Sequence, residues 1–367
     1  MTIVAKQVRP AGAQEKAPRY AAAGLSAFAA ALFRNAGLAA DRAAIVAEVL
    51  VEGDLMGHST HGLQLLTRHL EAIANGAVIC NGDPKTVADH GAAITLDGCY
   101  LPGPWLVRHA MDLAIGRMAQ FPVVTIVLKR AGHIGCLAAY PRLAAEKNLM
   151  MLLMSSDPAV RNVAPYGAVE GRYTPNPIAA GWPTGGAPVI IDTCPSTTTA
   201  GMAGRLARAG TRFGGPWLID ANGQPSDDPA VLTNPKGGAI MPLGGTDLGH
   251  KGFALGLIVE ALTAALGGYG RADGVAQDGA AVFLQMIDPS RFGGLDRFVR
   301  ETGWLADACS SAAPRPGGPP VRMPGMRALK LRERQLRDGV ELHPDTRQAL
   351  NLLALKTGIP APAAIGD

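Results

Sequence analysis

Histidine is the side chain whose unperturbed pKa lies closest to neutral pH. Two of the chain's eight histidines sit three residues apart in Gly57-His58-Ser59-Thr60-His61-Gly62. Apolar residues at 63, 65, 66, 70 and 73 follow at roughly helical spacing, which predicts His61 at or near a helix start. There the positive end of the helix dipole favours the neutral imidazole, which accepts a proton and, once protonated, returns it. The alternative is a helix cap or a polar niche, and His58 is assigned to structure. His133, in Ala131-Gly132-His133-Ile134-Gly135, falls at the loop after a strand predicted over 123–128, and functional groups concentrate at such junctions. Ser196-Thr197-Thr198-Thr199-Ala200-Gly201 reads as a hydroxyl-rich helix start, suited to a phosphate or equally to an N-cap. His250 and Lys251 precede a helix predicted over 252–266. A lysine at a helix start opposes the dipole and points to an anion nearby.

The elements that must hold these groups show in the hydrophobic pattern. Leu25, Phe28, Ala29, Leu32 and Phe33 share one face of a helix over 24–36, which Gly37 stops. Asp41 is expected to cap a second helix that delivers the chain to His58 and His61, and a third ends near Gly76. The period then changes. Residues 92–96, 123–128, 149–154 and 189–192 read as strands, with helices over 105–118 and 134–147. A Gly-rich loop spans 235–249, and Glu260 inside the following apolar helix reads as hydrogen-bonded structure. Residues 314–320 form a stiff Pro/Gly turn, and 329–356 read as helical. The division expected is a tail at 1–17, a helical unit of 18–84 plus 326–367, and a cofactor-binding and catalytic domain over 85–325.

Composition narrows the class. Hydrophobic residues make up 48% and charged residues 17%, so the chain is globular. The 34 Lys and Arg against 30 Asp and Glu are scattered, apart from a run near 327–337 that also holds Glu333. A nucleic-acid partner is therefore not expected. No run of about 18 uncharged apolar residues predicts a membrane span. The five cysteines are far apart with no C-x-x-C pair, which fits a reducing cytoplasm and neither a disulfide framework nor a structural zinc. No H-E-x-x-H is present, and a zinc reading on His58, His61 and His69 finds no ligand spacing, so no metal is expected. No G-x-G-x-x-G follows a strand, which argues against a Rossmann dinucleotide site.

Four stretches, in their order and separations, do resemble one family. They are the His58–His61 segment, Ala131 to Gly135, Tyr173-Thr174-Pro175-Asn176-Pro177-Ile178-Ala179, and Gly249-His250-Lys251-Gly252-Phe253-Ala254-Leu255. Together they resemble the malate/L-lactate dehydrogenase-like, non-Rossmann family of NAD(P)-dependent oxidoreductases, over about Arg19 to Gly358. That family includes sulfolactate and ureidoglycolate dehydrogenases and a hydroxycarboxylate dehydrogenase subgroup. The resemblance implies a mixed α/β fold, with a largely antiparallel cofactor sheet flanked by helices and a helical unit made of both termini. It implies a homodimer, with NAD or NADP held near the interface. It implies hydride transfer between the cofactor and C2 of a small 2-oxo or 2-hydroxy acid, or alternatively reduction of a cyclic imino acid such as piperideine-2-carboxylate. His61 and His133 match the family's active-site histidines, with Thr60 beside the first. Ser156, Asn176, Asp192, Ser196, His250 and Lys251 are the expected cofactor contacts.

Departures from the pattern concern the substrate. Many relatives carry an arginine four residues after the first histidine, where a bidentate guanidinium suits a carboxylate; here it is Leu65. Arg68 and Arg161 are the substitutes considered, each with a solvated surface role as the alternative. Ala131 stands for a usual serine, Thr174-Pro175-Asn176-Pro177 for Gly-Thr-Asn-Pro, and Pro324-Gly325-Met326 for Pro-Gly-Glu.

Overall fold

The computed structural model describes residues 17–365 apart from Lys236, so residues 1–16 of the expected tail lie outside the described residues. β1 (Arg19–Tyr20) leads into α1 (Ala22–Asn35), which buries the five apolar residues named above on one face. α2 (Ala40–Leu55) begins without a side-chain cap. Asp41, expected at that cap, lies in the first turn, where its charge still suits the dipole. Two short 3₁₀ turns, Ser59–His61 and Leu63–Leu65, precede α3 (Leu66–Ala74). The sequence pattern had merged these turns into one helix.

β2 (Lys85–Asp89), β3 (Ala93–Asp97), α4 (Gly103–Arg117) and β4 (Val123–Ala131) follow. α5 (Ala139–Ala145) starts five residues later than expected, because Gly135 adopts φ 74° and breaks the run after His133. β5 (Met150–Ser156), β6 (Ile178–Trp182) and β7 (Val189–Thr193) form a meander. α6 (Ala200–Arg208) then packs with a small sheet of β8 (Leu218–Asp220), β9 (Pro225–Ser226) and β10 (Gly238–Ile240) around Val163, Tyr173, Phe213 and Leu218.

α7 (Gly245–Glu260) corrects two expectations, the loop over 235–249 and a helix opened by Lys251. Gly249, Gly252 and Gly256 recur every three or four residues and form its buried side, so the glycines mark close packing within the helix. Lys251 therefore lies inside the helix and not at its dipole end. β11 (Ala280–Ile287), unassigned from sequence, and α8 (Leu295–Ser310) follow. The stretch expected to be helical over 329–356 holds two helices, α9 (Met326–Asp338) and α10 (Pro344–Thr357). β12 (Val340–Glu341) separates them and pairs with β1.

Among the described residues the main sheet has seven strands in the order β2-β3-β4-β11-β5-β6-β7. Only β3 and β4 run parallel; the other neighbours are antiparallel. β11 sits at its centre, with Phe283 opposite Val127 on one side and Met154 on the other. α4 covers one face with Leu106, Val107, Ala110 and Met111. A second core joins α1 and α2 to Val340, Leu342 and Leu350 near the C-terminus. α2 belongs to both cores: Val49 faces the sheet core, and Val46 and Leu50 face the helical one. No helix among the described residues is long and apolar enough to cross a membrane.

Candidate active site

The end of α2 builds the first histidine loop. His58 N–H donates to the Gly53 carbonyl (2.8 Å), and His61 N–H to the His58 carbonyl (2.8 Å). The buried Asp54 carboxylate accepts Leu63 N–H at 2.6 Å. From α6, Arg205 donates to Ser59 Oγ (3.0 Å) and to the Gln64 side-chain carbonyl, so the loop is held from two sides. The second histidine follows β4. A Cβ on Gly103 would lie 2.1 Å from the Gly132 carbonyl and 2.6 Å from that of His133, so the start of α4 must be glycine to let the loop pass.

These elements bring His61 and His133 together. Their rings stack at 21° with centroids 6.0 Å apart, and both line one cavity of 560 Å³. That volume lies within the ~300–1,000 Å³ typical of small-molecule sites. His61 closes a 3₁₀ turn and does not begin a helix, so the dipole is not what keeps it neutral. Burial lowers its pKa, opposed by Asp192 and reinforced by His58, Arg68 and Arg205. Burial also lowers His133 well below the ordinary histidine value, with His69, His61 and Arg68 adding to it. Behind them His69, 6.0 Å from His133, is held by burial at about 4, and its Nε2 has no partner.

The two rings are set differently. Gly135 N–H donates to His133 Nδ1 at 3.1 Å, which makes Nδ1 the acceptor and leaves the proton on Nε2. His61 Nδ1 instead meets Thr60 Oγ1 at 3.0 Å, a hydroxyl that either donates or accepts. His61 alone can therefore carry a proton on both nitrogens without losing its neighbour.

Among the other expected contacts, Thr60, Arg68, Ser156 and Asp192 line the same cavity. Ser156 Oγ donates to Glu260 (2.8 Å). Asn176 is fully buried and donates to Glu260 (3.0 Å) and the Gly256 carbonyl (3.0 Å), outside the cavity wall. Glu260 also pairs with Arg271 at 2.8 Å, so it is the hydrogen-bonded structure the sequence indicated. Ser196 turns inward to the Thr198 carbonyl (2.8 Å), and it is Thr199 that caps α6, accepting Met202 N–H (3.3 Å). Arg161 is exposed away from the cavity lining. His250 and Lys251 are exposed on α7, with His250 against Tyr166, and do not line it either.

The sequence did not point to Asp157, Asn162 or Thr193. Burial pushes the Asp157 carboxyl up to about 6, and Asn162 Oδ1 is buried without a partner in the cavity wall. A second cavity, of 570 Å³, shares His58, Asp192 and Thr193 with the first and is lined beyond them by Arg322, Gly325 and Arg327. The sequence marked that segment as a departure at Pro324 to Met326 and, from 327 on, as a basic run without a site role.

Asp54 gives a test of how the loop is anchored. Burial raises its carboxyl from 3.8 to about 7, against the pull of the Leu63 hydrogen bond and Arg205. The folded chain thus keeps a proton where the unfolded chain has lost it. The stability this contributes is full below about pH 4 and declines as pH rises to about 7. Asp54→Asn keeps an acceptor for Leu63 and cannot ionise. Relative to wild type, the variant should gain stability steadily across that window and then level off, as read from urea midpoints. A difference that does not change with pH would mean that Asp54 is ionised throughout.

The sequence profile of the malate/L-lactate dehydrogenase family matches residues 20–351. An L-lactate dehydrogenase of Cupriavidus necator is 31% identical over 337 residues, 89% of this chain and 94% of that protein. Hydroxycarboxylate dehydrogenase B of Escherichia coli is 27% identical over 353 residues, 94% and 96% of the two chains. A crystal structure of malate dehydrogenase from Entamoeba histolytica superposes with a TM-score of 0.89 at 22% identity, covering 95% of this chain and all of that one. That likeness fixes the fold class as the mixed, non-Rossmann sheet. The chain belongs to the malate/L-lactate dehydrogenase family.

Proposed function

We propose that the protein transfers hydride between NAD(P)H and C2 of a 2-oxo monocarboxylate whose side chain is uncharged. The observation that carries this is the His61–His133 pair in a cavity whose lining, among the described residues, has Arg68 as its one arginine or lysine. One fixed cation suits one carboxylate, and Leu65, Met202 and Trp217 give the rest of the wall an apolar character. A second carboxylate would meet no countercharge there and would face Asp157 and Asp192. The relative named for L-lactate agrees with this choice, whereas those named for malate and sulfolactate act on acids with a charged side chain.

A dinucleotide fits the residues present. The two cavities join at His58, Asp192 and Thr193, the unpartnered Asn162 Oδ1 faces one of them, and Arg322 and Arg327 stand in the other for phosphates. The nicotinamide, when bound, donates or accepts the hydride. The chain's own residues do the rest. Arg68 releases Asp278, now 3.1 Å away at the surface, and takes the substrate carboxylate. His133 donates its Nε2 hydrogen to the C2 oxygen, and His61 gives or takes the proton there.

Initial rates with NADH and NADPH over a panel of 2-oxo acids test the reading. Monocarboxylates with apolar side chains should exceed oxaloacetate in kcat/KM by about tenfold or more, a difference of ~1.4 kcal/mol. A preference for oxaloacetate, or no turnover with either cofactor, would overturn it. Arg68→Met should raise the substrate KM by roughly tenfold to a hundredfold, the worth of a charged hydrogen bond, and leave the cofactor KM near wild type.

We also propose a homodimer. Leu248, Leu255, Ile258 and Leu266, on α7 and the turn that continues it, are each 42–55% exposed, as apolar residues at a subunit contact would be in a single chain. Light scattering should give twice the chain mass, and a monomer that still turns over would refute it.

A further inference from the structure

His58, Cys136 and Asp192 come together where the two cavities meet. His58 Nδ1 lies 4.0 Å from Asp192 Oδ2, and Cys136 Sγ lies 3.9 Å from the same oxygen. All three donor atoms fall within 4.8 Å of one another. They come from three separate elements: the loop after α2, the loop after β4 and the end of β7. The Ala138 N–H fixes the carboxylate by donating to Asp192 Oδ2 at 2.9 Å. Cys136 is buried, whereas the His58 side chain is 35% exposed and free to adjust.

The donor set is thiol, imidazole and carboxylate, which zinc-like ions prefer and which hard cations such as magnesium do not. Bonds of ~2.0–2.3 Å to a tetrahedral ion place its ligand atoms roughly 3.4 Å apart. The two spacings to Asp192 Oδ2 therefore need a contraction of about half an ångström, and the His58–Cys136 spacing, no more than 4.8 Å, one of up to about 1.4 Å, which a turn of the partly exposed imidazole can supply. The Cys136 thiol proton leaves to solvent as the ion binds, so that thiolate, imidazole and carboxylate fill three positions and water the fourth. Without an ion, burial and Asp192 hold that thiol well above its ordinary pKa, and it stays protonated. A bound cation reverses that balance.

We propose that this cluster is an inhibitory site for a borderline-soft divalent cation, zinc or cadmium, which locks His58 to Asp192 across the junction and closes the path between the cavities. The ion takes no part in hydride transfer. The inhibition rests on the cofactor reading above; the binding does not.

Cobalt(II) is the probe for binding in the full chain. One equivalent should give a thiolate-to-cobalt charge-transfer band, lost in Cys136→Ser and weakened in His58→Gln. The band should persist in Cys309→Ser, a variant of a thiol on α8 far along the chain. Zinc should weaken binding of NADH or NADPH, followed by nicotinamide fluorescence, and Cys136→Ser should need at least tenfold more zinc for the same effect. No band in the wild type, or an undiminished band in Cys136→Ser, would overturn the site. A normal cobalt spectrum with cofactor binding indifferent to zinc would overturn the inhibition alone.

Discussion

His61→Asn should lower kcat by about 10²–10⁴-fold and leave cofactor affinity nearly unchanged, because a positioned general acid–base contributes that much and asparagine cannot move a proton near pH 7. The choice of His61 over His133 comes from the hydrogen bonds at Nδ1. His133 Nδ1 accepts the Gly135 N–H, so becoming an imidazolium would break that bond in a buried place. His61 Nδ1 faces the Thr60 hydroxyl, which can turn to accept. On the proposed roles, His133→Ala removes a donor to the C2 oxygen, so it should also cost activity while leaving the proton carrier in place.

The pH profile separates the two roles. Burial disfavours the charged form of His61, so its pKa lies below the ordinary 6.5. Oxidation of the hydroxy acid needs neutral His61, so its kcat/KM should rise from acid pH and become level before neutrality. Reduction needs the imidazolium, so its kcat/KM should fall across the same limb. His133→Ala should keep this limb, and His61→Asn should erase it. A limb that survives in His61→Asn would assign the proton to another group, and Asp157, held at about 6, would be the first to examine.

The pattern of the chain made some of this visible and hid the rest for physical reasons. α1 shows because its apolar residues repeat on one face, the spacing a half-buried helix requires. β11 did not show, although it is the centre of the sheet. It is covered on both faces from Ala280 to Leu284, so it lacks the alternation that distinguishes a half-exposed strand. The glycines of α7 mimic a loop because close packing and loose turns use the same residue. His61 and His133 stood out by type and neighbourhood. Their supports did not, since Arg205 reaches Ser59 across 146 residues and nothing local announces it. The dinucleotide was implied by resemblance alone. The lining of both cavities supports it with groups from β7, α9 and several loops, which share no sequence pattern.

The ion pair beneath the cavity floor leads to the other large effect. Arg271 donates to both Glu260 oxygens (2.8 and 3.1 Å) and to the carbonyls of Asp157 (3.0 Å), Pro158 (3.2 Å) and Val160 (2.6 Å). The two side chains are only 19% and 18% exposed. Removing one partner of such a pair leaves an uncompensated buried charge, which costs about 3–5 kcal/mol. Arg271→Met should therefore lower stability by about 3 kcal/mol or more in urea denaturation. Asp157 and Val160 line the cavity, so kcat/KM should fall in the same variant. Adding Glu260→Gln removes the orphaned charge while keeping an acceptor for Ser156 and Asn176. The double variant should recover much of the lost stability but not the activity, because the three carbonyls still lack their donor. A single variant within about 1 kcal/mol of wild type, or a double variant less stable than Arg271→Met, would show that Glu260 is held in its place by Ser156 and Asn176 without its countercharge.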